Sequence, residues 1–177
     1  MNMNKNGFTL IEMLVAIGVF SMAMLISVSS FLSLQSSEKK VQVVTNIQNN
    51  LRFALEIMAK EIRTGELYHC ALDAGTQPLD CPSGASSITF KNTQGQTIIY
   101  RKIDSGVQKS ANGGASFQPL TSSDITVDDL KFYVVGAPSN DNLQPLVLIT
   151  LKASSFVAGA LNEYNLQTSV SQRKPSP

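Results

Sequence analysis

Residues 8–34 form an apolar run without proline in which Glu12 is the only ionisable side chain. As a helix rising about 1.5 Å per residue the run is roughly 40 Å long, against a bilayer hydrocarbon core of about 30 Å. That length predicts a membrane-spanning helix and leaves the acid to be explained. A carboxylate inside such a span costs on the order of 2.5–3.5 kcal/mol at mid-membrane, less near an end, and calls for a partner. No lysine or arginine lies between Lys5 and Lys39. A cut between Gly7 and Phe8 supplies the cation, because the new α-amine lies one helical turn from Glu12 on the same face.

At these residues the chain resembles the prepilin family, the subunits of type IV pili and the pseudopilins of type II secretion. The matching run is Gly7-Phe8-Thr9-Leu10-Ile11-Glu12-Met13-Leu14-Val15-Ala16. Gly7 precedes the cut, Phe8 follows it, and Glu12 becomes the fifth residue of the mature chain. The resemblance implies removal of residues 1–7 by a prepilin peptidase and N-methylation of Phe8. It implies that Glu12 acts in subunit assembly by meeting the amine of a neighbouring subunit. Other pilin or pseudopilin subunits, an inner-membrane assembly platform and membrane lipid are the partners that follow.

The leader, residues 1–7, is polar with one cation, Lys5. Positive-inside bias therefore puts the N-terminus in the cytoplasm and the rest of the chain beyond the cytoplasmic (inner) membrane of a bacterium. A secretory signal would place its cleavage site after a 7–15-residue apolar region. Here the cut precedes the apolar run, which stays in the mature protein as an anchor. The whole chain carries 14 Lys/Arg against 13 Asp/Glu. Lys5 leaves with the leader, so the mature side chains balance, and no basic surface for nucleic acid is evident.

Beyond residue 34 the polarity changes while the helical period continues. Val44, Ile47, Leu51, Leu55, Met58 and Ile62 recur at three- and four-residue steps. Arg52, Glu56 and Lys60 line another face, where Glu56 before Lys60 has the favourable orientation for an ion pair. One helix from Phe8 to Arg63, about 84 Å if unbroken, is expected, with Gly65 as its stop. Weak helix formers at Ser27, Val28, Ser29 and Ser30 predict local opening within residues 21–33 once the subunit leaves the bilayer for a fibre; the alternative is that the serines only let helices pack closely.

Runs rich in β-branched and aromatic residues follow: 87–90, 97–100, 129–135, 146–151 and 164–170. Gln94-Gly95, Ser105-Gly106 and Asn112-Gly113-Gly114 punctuate them as turns. The expected fold is α+β: a long N-terminal helix, transmembrane over 8–34 and amphipathic over 35–65, with an antiparallel sheet in a head of residues 66–177 packed on its C-terminal half. The segment 51–63 and the strand ending Leu166-Gln167-Thr168-Ser169-Val170 resemble J-type minor pseudopilins and W-type minor pilins. That implies a minor subunit acting in priming or at the tip of a fibre.

Cys70 and Cys81 enclose Gly75, Pro78 and Asp80 in a loop of roughly 12 residues, and a disulfide there contributes about 3 kcal/mol in the chain-entropy model. A zinc reading would need His69, Cys70 and Cys81, but one histidine and no Cys-x-x-Cys is a poor ligand set. Asn140-Asp141-Asn142 resembles oxygen-rich calcium loops, yet offers one carboxylate between two amides. No nucleophile–histidine–acid set and no phosphate loop is present, and adjacent Asp128 and Asp129 point to opposite faces of a strand. Neither catalysis nor a cofactor is expected. Two function classes remain: a structural subunit that polymerises through its helix, and a single-pass anchored extracytoplasmic binding domain that never assembles. An anchor has no use for Glu12, and a fibre subunit has.

Overall fold

The computed structural model describes residues 7–70, 77–138 and 143–173. Its first element is a helix, α1 (Leu10–Thr64), followed by nine strands: β1 (Glu66–His69), β2 (Cys81–Ala85), β3 (Ser87–Lys91), β4 (Thr97–Ile103), β5 (Gly106–Ser110), β6 (Gln118–Pro119), β7 (Thr126–Val135), β8 (Leu146–Val157) and β9 (Ala160–Ser171). The chain divides into two compact units, Met1–Val43 and Val44–Pro177. The α+β class stands, with one refinement: the head has two antiparallel sheets, ordered β1-β3-β4-β5-β6 and β2-β7-β8-β9, where one was expected.

In the second unit α1 buries Ile47, Leu51, Ala54, Leu55, Met58 and Ile62 and leaves Phe53 exposed. The stripe follows from the three- and four-residue steps of the sequence. It joins one core with Tyr68, Phe90, Ile98 and Tyr100 from the first sheet and Leu130, Phe132, Ile149 and Leu151 from the second. The β8 strand shows the period of 2, with Val147, Ile149, Leu151 and Ala153 inward and the residues between them more exposed.

The last helical carbonyls are satisfied from the sheet side. The Tyr68 hydroxyl donates to the Ile62 carbonyl at 2.6 Å and also contacts the Gly65 carbonyl. The Arg173 amide donates to the Arg63 carbonyl at 2.7 Å, and Gln172 Nε2 to the Gly65 carbonyl at 2.9 Å. These bonds replace the partners that a helix C-terminus lacks. Gly65 does follow the last helical residue, as expected, but not as a left-handed cap. It is not among the glycines with positive φ, and a Cβ there would lie 2.5 Å from Phe90 Cδ2. Close packing requires the glycine.

Glu56 and Lys60 do not pair; among the described residues the single salt bridge joins Lys109 to Glu61. Glu61 also accepts the Tyr100 hydroxyl at 2.6 Å. The carboxylate nearer the sheet, one residue beyond Lys60, finds fixed partners there, whereas a solvated i,i+4 pair gains little. The expected turn at Ser105-Gly106 is shifted by one residue, to Asp104 and Ser105, with Asp104 at φ 48°.

Candidate processing and assembly site

Gly7, Phe8 and Thr9 precede the helix, and Leu10 is its first residue. Thr9 is therefore the N-cap and Glu12 the third helical position, the arrangement of a capping box. The bonds are reciprocal. The Thr9 amide and the Thr9 hydroxyl each donate to Glu12 Oε2 at 2.9 Å, and the Glu12 amide donates to Thr9 Oγ1 at 3.3 Å. A negative side chain in the first turn also complements the helix dipole. Glu12 thus has a partner within its own chain, besides the α-amine that a cut after Gly7 would supply. The signal was present: Thr9-Leu10-Ile11-Glu12 is a threonine followed three residues later by a glutamate, directly before an apolar run.

Thr9 does not exhaust the carboxylate. Two ionised oxygens offer about four lone-pair sites, and the two bonds from Thr9 fall on Oε2. The box orients Glu12 along the first turn and leaves it able to accept an N–H from an amine. Phe8 is 84 % exposed, the Gly7 position has open space around it, and nothing in the described chain covers Glu12.

The helix around this site is apolar on every side. Leu10, Phe20, Leu25, Ile26 and Phe31 are all more than half exposed. It is the one described helix long and apolar enough to cross a membrane. Its serines are internally satisfied: Ser21, Ser27, Ser29 and Ser30 donate to carbonyls four residues back at 2.8–3.0 Å. Such back-bonding removes the hydroxyls from the list of polar groups a bilayer would penalise. The helix is unbroken through residues 21–33 in the single chain.

The remaining sequence candidates are distributed through the head. Cys70 and Cys81 form a disulfide with a Cα–Cα distance of 6.2 Å. Cys70 follows β1 and Cys81 begins β2, so the bridge staples one sheet to the other. It also takes both sulfurs that a zinc site with the buried His69 would use. Asn140, Asp141 and Asn142 lie outside the described residues. Asp128 accepts the Ser154 hydroxyl at 3.1 Å and Asp129 sits beyond a register shift in β7, so the two serve no common site. Among the described residues, a cavity of about 450 Å³ is lined by Glu66, Tyr68, Pro78 and Pro145, with Glu66 its one carboxylate.

Residues 2–28 match the family model described as the prokaryotic N-terminal methylation motif. No curated protein and no solved structure matches the chain significantly. The matched stretch contains Gly7, Phe8, Thr9 and Glu12 together with more than half of the apolar run. It supports a single-pass, membrane-anchored precursor of the type IV pilin or pseudopilin kind, processed by a prepilin peptidase and assembled with other pilins.

Proposed function

We propose that the chain is a minor pilin or pseudopilin, cut after Gly7, N-methylated at Phe8 and assembled into a fibre through its N-terminal helix. In this reading residues 1–7 are the leader, 8–34 the transmembrane and assembly segment, 35–65 its amphipathic continuation and 66–177 an extracytoplasmic head. The subunit waits in the inner membrane, N-terminus on the cytoplasmic side, until an assembly platform extracts it. Its place among J-type pseudopilins or W-type pilins, in priming or tip assembly, rests on the resemblance of residues 51–63 and 166–170.

The observation that carries the proposal is the position of Glu12, the single charged side chain of the exposed apolar run 8–34, held in the first turn beside the future α-amine. In a fibre the acid accepts the methylated amine of a neighbouring subunit and sets the axial register of the two helices. Burying both charges offsets much of their attraction, so the pair contributes specificity more than affinity.

Glu12→Gln separates this role from capping. Glutamine at the third helical position still completes a capping box, but it carries no charge for an amine. We expect Glu12→Gln to insert in the membrane and fold its head normally while co-purifying poorly with assembled fibres. Undiminished incorporation of Glu12→Gln would reduce Glu12 to a cap, whereas a wild-type chain never recovered with fibres would favour the anchored domain that does not assemble.

A further inference from the structure

The β8–β9 hairpin outruns the sheet that carries it. The last β7 residue paired with β8 is Thr126, opposite Ser154; beyond that rung, Ser155↔Asn162, Phe156↔Leu161 and Val157↔Ala160 pair only with each other. At about 3.3 Å per residue the tip projects some 10 Å past β7. The turn is Ala158-Gly159, with φ of 52° and 82°, the two positive angles of a type I′ hairpin. Its inner side is anchored: Val157 belongs to the core, and buried Ser155 bonds the Tyr164 hydroxyl at 3.3 Å. Its outer side is bare, with the cross-strand pair Phe156 and Leu161 75 % and 54 % exposed. From residue 153 to residue 162 there is no charge.

The direction of the hairpin says what these side chains meet. Glu163, Tyr164, Asn165 and Leu166 share a cleft with Gln48 and Arg52, while the far end of β9 leads to the Arg173 amide on the Arg63 carbonyl. β9 therefore runs beside α1 in the same direction, and the tip lies at the Val44 end of the head. That is the end at which the chain enters from the apolar run, with only residues 35–43 between in sequence. An exposed aromatic–aliphatic pair at that end is where a lipid surface is met, because amphipathic and aromatic groups settle at the headgroup level.

We propose that the β8–β9 tip is a membrane-surface contact: Phe156 and Leu161 insert into the headgroup region while the subunit awaits assembly. The proposal rests on the membrane-anchored reading above. Asp128, which accepts the Ser154 hydroxyl, and Glu163, opposite Ser154, are the acids at the base of the tip, so the contact is apolar, needs no anionic lipid and is insensitive to salt. Two side chains are a weak ligand for a free protein. For a chain tethered to the same bilayer the contact is intramolecular and its effective concentration is high.

The chain has no tryptophan, so Phe156→Trp introduces a sole reporter. The full chain carrying it is reconstituted into phosphatidylcholine vesicles, with and without lipid brominated near the glycerol end of the acyl chain. We expect blue-shifted emission and at least twofold quenching by the brominated lipid. Leu161→Trp should behave alike, whereas Val135→Trp, exposed at the opposite end of β7, should report solvent. Acrylamide-quenched emission that ignores brominated lipid overturns the proposal. So does a blue shift that fades as the protein is diluted in lipid, which would assign the tip to a second copy. A chain that fails to float with the vesicles overturns the anchored reading itself, a result distinct from an anchored chain with a solvated tip.

Discussion

One helix serves two solvents. Over residues 10–34 α1 is apolar all round and none of the described residues covers it; in the second unit it buries a stripe and presents Arg52, Glu56 and Lys60 to water. The difference is the width of the apolar surface. An all-round apolar helix needs lipid or other helices, while a stripe about a third of the circumference wide needs a sheet. Substitutions should therefore obey different rules on the two sides of Val44.

The largest contrast is in the core. Met58→Ala empties a fully buried position among both sheets and should cost about 2–5 kcal/mol of head stability. Leu25→Ala, at an exposed position of the first unit, should leave head stability unchanged. Denaturant unfolding of the detergent-solubilised chain compares the two, and equal losses would break the distinction.

Cys70→Ser comes next. Loss of the bridge between sheets should destabilise the head by about 3 kcal/mol in the chain-entropy model, without touching membrane insertion. Thiol labelling of the native chain without reductant gives the direct check, with no accessible thiol expected.

Gly65→Ala sharpens the boundary where helix meets sheet. The methyl group would sit 2.5 Å from the buried Phe90 ring, and the expected loss is about 1–3 kcal/mol from overpacking. A left-handed cap would tolerate alanine differently: Phe90→Leu should recover part of the loss only if packing is the cause.

A smaller effect is carried by two tyrosines. Burial, together with the Glu61 hydrogen bond and charge, pushes the Tyr100 hydroxyl well above its ordinary range; burial and then the Glu66 charge do the same to Tyr68. Below about pH 10 both are neutral in the folded and unfolded chain, so their contribution to stability is fully present. Above about pH 10 the unfolded chain releases protons that the head retains, and stability falls as pH rises. Tyr100→Phe should flatten that alkaline fall, measurable as thermal unfolding between about pH 8 and about pH 11.

The α+β class was legible because its signals are long. The apolar run, the stripe from Val44 to Ile62 and the β-branched segments at 87–90, 97–100 and 129–135 each dominate their window. What stayed hidden depends on tertiary context. β2 contains Pro82 and Gly84, which suppress a strand signal, yet Gly84 at φ 72° packs against the Tyr133 ring where no side chain would fit. β8 continues six residues past Leu151 because Ala153, Ser155 and Val157 face the core, although Lys152-Ala153-Ser154-Ser155 has little strand character. The split into two sheets follows from pairing, with β2 joining β7 at Cys81↔Val134 and Ala85↔Phe132, contacts distant in sequence that periodicity does not encode. At the N-terminus the motif residues stand in the sequence, and so does the Thr9-Leu10-Ile11-Glu12 spacing of the capping box.

The central claim, that residues 1–7 are removed and the apolar helix begins the mature chain, is tested most directly by intact-mass and N-terminal peptide mass spectrometry of the membrane-extracted protein. The account predicts a chain starting at Phe8 and carrying one N-methyl group. A chain that keeps Met1, or one cut beyond Leu34, would contradict it.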